Sequence, residues 1–314
     1  MPAYNAEAFI DEAIESILGQ TFTDLELVVV DDASTDRTWS IITKHAADDP
    51  RIRTFRNKTN LGAAASINQG VNLATAPLIG RMDADDFSEP TRFEKQVNEL
   101  RANPHYAVVG TFASHTNEHG KIIGFSATGP RSEADFNALR EAGKATLVFG
   151  GTALFTKELF ERVGGFDPSL RTAEDLELFD RMADHGPIVT IAEPLLHYRL
   201  HPGSTVGKTF FEGRQIHRFV QARRQAQIKG KELTDLEEFK EWERGRPIWV
   251  RIGIRLGDSA QYHYRKAGMA YGQGDKAGFV WNLLRAFVAN PVWVVRRLWH
   301  QRLSRTARSE GRIG

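Results

Sequence analysis

Over the first ninety residues, short apolar runs alternate with helical patterns, and two of the apolar runs end in clustered carboxylates. "AEAFIDEAIESILGQ" sets Phe9, Ile10, Ala13, Ile14 and Ile17 at a helical period, and "LELVVV" has the length and composition of a strand. "DDASTDRTWSIITKHAA" follows, a helix carrying Trp39, Ile42 and Ala46, with Ser34 or Thr35 as its expected cap. "IRTF", the small-residue helix "LGAAASINQGVNLA" and "PLIGRM" continue the alternation. Strands and helices of these lengths predict right-handed βαβ units and a mostly parallel sheet. Ligands of such sheets bind at the carboxyl ends of the strands. Asp31 and Asp32, and Asp83, Asp85 and Asp86, all fall at that edge.

Like charges crowded at the end of a buried strand repel one another and are costly to desolvate. A divalent cation removes the difficulty, and hard oxygen ligands suit Mg²⁺ or Mn²⁺. The competing reading has Asp83 capping a loop while the others are solvated. An EF-hand beginning at Asp83 fails, because Phe87 stands at a ligand position and Ser88 replaces the glycine of the turn. A phosphatase-type aspartyl nucleophile lacks a matching lysine and acidic pair downstream. Farther on, in "AEDLELFDRM", Leu176, Phe179, Met182 and Ala183 mark a helix whose first turn holds Glu174 and Asp175. The helix dipole alone favours acids there.

The chain has 314 residues, 41% of them hydrophobic, enough for one sizeable domain and an attachment. Without cysteine there is no disulfide, thiolate nucleophile or zinc–thiolate site. The start carries no basic n-region with an apolar stretch, and "AFVANPVWVV" falls short of the roughly 20 residues that span a bilayer. A cytoplasmic location is therefore expected. The net charge of +1 conceals an asymmetry: residues 1–205 carry 19 Lys/Arg against 30 Asp/Glu, and residues 206–314 carry 22 against 10. Pattern and charge change together, so two domains are expected, 1–205 and a basic helical region 206–314.

The ordered series "MPAYNAEAFIDEAIESILGQTF", "ELVVVDDASTDRT", "NLGAAASINQG", "RMDADD", "VGGFDPSLRTAEDLELFDRMADHG" and "YRLHPGST" resembles glycosyltransferase family 2, inverting nucleotide-sugar transferases of GT-A fold. The resemblance covers residues 1–205 and implies a Rossmann-like, mostly parallel sheet flanked by helices. It implies that Pro2, Ala3 and Tyr4 form a wall for the nucleobase, usually uracil, and that Asp32 accepts a hydrogen bond from the base. Asp83 would lie near the ribose or a metal-bound water. Asp85 would hold a Mn²⁺ or Mg²⁺ ion bridging the two phosphates. Asp175 would be the general base toward the acceptor hydroxyl. His201 resembles a family histidine near the metal and diphosphate, and a structural role for it stands beside that one. Arg81 and Arg199 either counter phosphate charge or pair with acids around the cleft. Gly62, Asn68 and Gly70 are assigned to helix packing. The family carries an apolar strand ahead of the stretch matching "MPAYN", so the first strand is expected to be shortened here.

The implied activity is transfer of a sugar from a nucleotide sugar, UDP being the expected carrier, to a saccharide or lipid-linked acceptor in surface or extracellular polysaccharide synthesis. Two alternatives come from other classes: a nucleotide-sugar-binding protein without turnover, and a membrane-surface-binding module for which the first part is scaffold. From Phe279 onward Trp281, Trp293 and Trp299 alternate with arginines, which suits an anionic membrane surface on the cytoplasmic side or docking on the acidic first part. No nucleic-acid motif accompanies this basic, aromatic segment, and nucleic acid is not an expected partner.

Overall fold

The computed structural model describes residues 1–201, 209–233 and 235–299. The chain divides into two compact units, Met1–Leu233 and Thr234–Gly314. In the first, β1 (Pro2–Ala3), β2 (Leu27–Asp31) and β3 (Ile52–Arg56) pair in parallel in the order β1-β2-β3. The helices α1 (Ile10–Leu18), α2 (Thr38–Asp48) and α3 (Ala63–Leu73) follow these strands in turn. Every residue of β2 is buried, as an apolar strand covered on both faces must be. α1 buries Ile10, Ala13, Ile14 and Ile17, the stripe its period predicts. β1 is two residues long.

Neither Ser34 nor Thr35 caps α2. Arg37 stands at the N-cap position without a side-chain cap bond, and Asp36 before it accepts from the Thr38 N–H through Oδ1 at 2.9 Å. Ser34 Oγ instead accepts from Asn5 N at 3.0 Å, and Asn5 Oδ1 accepts from Thr35 N at 2.9 Å, which ties the loop after β1 to the loop after β2.

A second sheet contains β4 (Leu78–Gly80), β5 (Phe87–Ser88), β6 (Val108–Thr116), β7 (Ile122–Ser126), β8 (Leu154–Thr156) and β9 (Ile188–Arg199). Its order is β4-β8-β6-β9-β5, with β7 paired to β6. Only β6 and β9 run parallel; the other ladders are antiparallel. The parallel pairing of β1, β2 and β3 thus gives way to mixed pairing from β4 onward, and β4, which the alternation placed in the parallel series, pairs antiparallel with β8. Around this sheet lie α4 (Arg92–Ala102), α5 (Glu133–Glu141), α6 (Lys157–Arg162), α7 (Glu174–Met182) and α8 (Phe210–Ile228). Phe155, Phe160, Phe166, Phe179 and Met182 fill the core beneath it.

The boundary expected at 205 falls among residues outside those described, and the first compact unit runs 28 residues farther, to Leu233. Charge explains the difference. Arg223 on α8 donates to Asp180 Oδ2 at 2.8 Å and to Glu177 Oε1 at 2.8 Å, both on α7, so the first helix of the basic region belongs to the acidic unit. The second unit is helical throughout its described residues: α9 (Leu236–Arg244), α10 (Ile248–Gly272), α11 (Lys276–Ala289) and α12 (Pro291–Leu298). Pro291 opens α12, and Asn290 Oδ1 caps it by accepting from Trp293 N at 3.0 Å. Among the described residues no helix is long and apolar enough to cross a membrane.

Candidate active site

The loops leaving β1 and β2 meet first. Ala3 stands opposite Asp31 in the parallel register, and Asp32 N donates to Ala3 O at 2.8 Å, which sets Pro2, Ala3, Tyr4 and Asp32 side by side. The Tyr4 side chain is 51% exposed, an aromatic face open to a ligand. Asp32 is buried and engaged: Oδ1 accepts from Asn57 Nδ2 at 2.8 Å and Leu61 N at 2.9 Å, and Oδ2 from Gly62 N at 2.8 Å. These bonds fix the entry to α3, where Gly62 takes φ +88°, a conformation that glycine adopts without strain. Of roughly four acceptor positions on this carboxylate, one is left for a ligand.

The end of β4 is organised by a cation from the chain itself. Arg81 is buried, and its Nη2 lies 3.2 Å from Asp83 Oδ1 and 3.5 Å from Glu174 Oε1, while Nη1 lies 3.8 Å from Asp175 Oδ2. Burial works against the guanidinium charge, but the surrounding carboxylates outweigh it and hold the group above its ordinary pKa. Asp83 therefore has a counter-ion within the protein, which it shares with Glu174 and Asp175. Burial, with the charges of Asp85 and Asp175, nevertheless holds Asp83 above the ordinary carboxylate range, against the pull of Arg81.

Asp85 has a different partner: its Oδ2 lies 3.0 Å from His201 Nε2. Asp86 turns inward. Its Oδ1 accepts from Arg199 N at 2.9 Å, its Oδ2 has no partner among the described residues, and burial pushes its pKa well up. Arg199 is committed to the protein, donating to the Asp85 and Glu118 carbonyls at 2.9 Å each and to the Glu12 carboxylate. These contacts are those of the pairing role, one of the two expected of it.

α7 closes the site. Ala173 precedes it with φ +54°, a left-handed conformation uncommon without glycine, and the turn brings Glu174 and Asp175 to the helix start beside Arg81. Burial and the neighbouring Asp175 charge push Glu174 up to about 7, against Arg81. It holds its proton to higher pH than an ordinary carboxylate. The Asp175 side chain is partly exposed, and its Oδ1 accepts from Leu176 N at 2.7 Å. Gly150 makes the approach feasible: a methyl group there would overlap both the Asp175 carboxylate and the Arg81 guanidinium.

Among the described residues, no group of three His, Asp or Glu gathers around one point. Asp85 and His201 do meet, an oxygen and an imidazole donor, with the unpartnered Asp86 Oδ2 on the same turn. Two protein ligands fit an octahedral Mg²⁺ or Mn²⁺ that takes its other positions from phosphate and water.

Two contributors are absent from the sequence expectations. Gly150, in "VFGGT", shows nothing locally that sets it apart from other loop glycines. Arg92 is fully buried, donates to Gly151 O at 2.9 Å and Arg81 O at 3.0 Å, and is lowered to about 9 by burial. Its signal was legible: Arg92, Gln96 and Leu100 fall on one helical stripe, so polar groups had to point inward with α4's core face.

A curled α/β unit with carboxylates at the ends of two strands, facing the start of a helix, defines the GT-A class of nucleotide-sugar transferase folds. A solved structure, the mannosyltransferase PcManGT from Pyrobaculum calidifontis in complex with GDP-Man and Mn²⁺, superposes with a TM-score of 0.55 at 20% identity, covering 96% of this chain and 86% of that one. The chain belongs to glycosyl transferase family 2, whose profile matches residues 1–164. It is 38% identical over 192 residues to the putative glycosyltransferase EpsE of Bacillus subtilis, across 59% of this chain and 66% of EpsE. It is 31% identical over 205 residues to the chondroitin synthase of Escherichia coli, across 65% of this chain but 29% of that protein. These alignments span two thirds or less of each relative.

Proposed function

We propose that this protein is a metal-dependent inverting glycosyltransferase that moves a sugar from a nucleotide sugar to a saccharide or lipid-linked saccharide acceptor in the synthesis of a cell-surface or extracellular polysaccharide. The observation that carries the reading is the junction of Asp175 and Glu174, at the start of α7, with Arg81 and Asp83 from the end of β4. Tyr4, flanked by Pro2 and Ala3, receives the base, and UDP is the carrier we assign. Asp32 offers its remaining acceptor position to the base, and Asp83 receives the ribose. Asp85 and His201 hold Mn²⁺ or Mg²⁺, which when bound supplies Lewis acidity toward the departing diphosphate. Asp175 takes the proton of the acceptor hydroxyl, and Arg81 fixes its orientation from behind. A single displacement needs one base and no covalent sugar–enzyme intermediate. The relative named for chondroitin synthesis and the structural neighbour holding GDP-Man and Mn²⁺ support the substrate class.

Asp175→Asn tests this. Nucleotide-sugar turnover with Mn²⁺ should fall by about 10²-fold or more, while UDP binding by calorimetry stays within a few-fold of the parent. Turnover unchanged in the variant would remove Asp175 as base. Binding without turnover in the parent would favour a nucleotide-sugar-binding protein, and tighter binding of GDP than UDP would reassign the base pocket.

The second unit favours a peripheral seat on the inner face of the cytoplasmic membrane. In α10 to α12 the buried apolar residues are small, Ala260, Ala267, Ala270, Ala286 and Val294, whereas Trp249, Ile252, Trp281, Val288 and Val292 are exposed with Arg255, Arg285 and Arg296 among them. Aromatic and basic side chains together match an anionic headgroup layer.

A further inference from the structure

The inner face of α4 is polar at two positions where a helix packed on a sheet is ordinarily apolar. Arg92 and Gln96, one turn apart, are fully buried, and each gives its donors to two main-chain carbonyls from different segments. Arg92 Nη1 donates to Gly151 O at 2.9 Å and Nη2 to Arg81 O at 3.0 Å. Gln96 Nε2 donates to Thr152 O and to Val109 O of β6, both at 2.7 Å. Gly151 and Thr152 belong to a single 3-10 turn, Gly150–Thr152, and Arg81 N donates to Ala153 O, just beyond that turn, at 2.9 Å. The main chain of Arg81 is therefore held at both its N–H and its carbonyl, and the turn carrying Gly150 is held against β6 and the end of β4. Neither of these Arg92 bonds goes to a carboxylate. Burial works against the Arg92 charge, and the charges of Asp86 and Asp83 favour it. What a guanidinium supplies here is two donors at a fixed spacing, which tie two chain segments together.

We propose that Arg92, supported by Gln96, is a positioning residue for sugar transfer: its fork sets the Gly150 turn against Arg81 and, through that contact, places Asp175 and Glu174. Gly150 makes the link, since a methyl group there would overlap both the Asp175 carboxylate and the Arg81 guanidinium. Slackening of the turn or of the Arg81 main chain changes the 3.5 Å separation of Arg81 Nη2 from Glu174 Oε1 and the 3.8 Å separation of Nη1 from Asp175 Oδ2. Tyr4 and Asp32, on the loops leaving β1 and β2, receive none of the four α4 bonds, so the nucleotide pocket is set separately. The inference rests on the assignment of Asp175 as the base.

Three variants of the full chain test this. Arg92→Lys keeps the charge and loses the fork, and Gln96→Met removes the second pair of bonds at similar volume. Leu100→Ala is the control for stability, a residue farther along α4 in an apolar cluster with Val109, Leu154 and Val189. Arg92→Lys should lower kcat by about 10-fold or more and Gln96→Met by about 5-fold, with UDP affinity within about two-fold of the parent, whereas Leu100→Ala lowers Tm and leaves kcat parental. A second readout needs no turnover. Carboxyl NMR follows the titration of Glu174, which burial and the charges of Asp175 and Asp83 push up to about 7 against the pull of Arg81. Loosening Arg81 in Arg92→Lys should move that titration higher still, and Leu100→Ala should leave it in place. Should Arg92→Lys fail to fold, Gln96→Met decides by the same two readouts. An inactive parent would remove the catalytic reading, and the Glu174 titration would then decide the positioning alone. A titration unmoved by Arg92→Lys, a kcat no lower in it than in Leu100→Ala, or UDP affinity falling in step with kcat would overturn the proposal.

Discussion

Arg81 is the residue on which the site's electrostatics turn. Three carboxylates converge on one buried guanidinium, so the charge density read from "RMDADD" is balanced partly within the protein, while Asp85 turns instead to His201. Such an arrangement requires close approach, which Gly150 permits. Gly150→Ala should push Asp175 from its position and lower kcat by about 10²-fold, the scale of a misplacement near one ångström, with nucleotide affinity retained. Initial-rate kinetics beside calorimetric UDP binding check this; a variant with parental kcat would show that Asp175 need not sit against Arg81.

At the scale of the element, α7 does two jobs with one sequence. Its first turn faces the site, and its later residues Glu177 and Asp180 face inward to Arg223 of α8 and Arg140 of α5. Asp180 is 2% exposed, so its charge depends on those guanidinium groups. Arg223→Ala should destabilise the protein by about 3 kcal/mol, the range for breaking a buried pair, as read by urea unfolding. A loss below about 0.5 kcal/mol would show that Arg140 alone balances Asp180. This network joins α8 to the first compact unit, although α8 carries the basic composition of the later residues.

For the whole molecule, the opposite charges of the two parts and the exposed tryptophans of the second unit predict membrane association. The full chain should float with vesicles rich in phosphatidylglycerol at low salt, float weakly with pure phosphatidylcholine, and lose most of its binding when Trp249 and Trp281 become serine. Failure to float with the anionic vesicles would leave those residues to a protein partner. Residues 300–314, which the sequence reading included in this basic segment, lie outside those described.

The alternation of strand and helix, the strand ends at which acids gather and the helix start carrying Glu174 and Asp175 are legible in the amino-acid order alone. Each follows from local period, capping and dipole preferences that act over a few residues. Tertiary structure alone decided that Arg81 is the counter-ion of Asp83, that Asp32 is largely spent on the entry to α3, and that Arg199 braces the protein. It also decided the mixed pairing beyond residue 78 and the two carbonyl groups that Arg92 bridges. Which carboxylate meets which cation depends on distances between segments as much as 187 residues apart, and strand order depends on edges meeting in space; local sequence periodicity encodes neither.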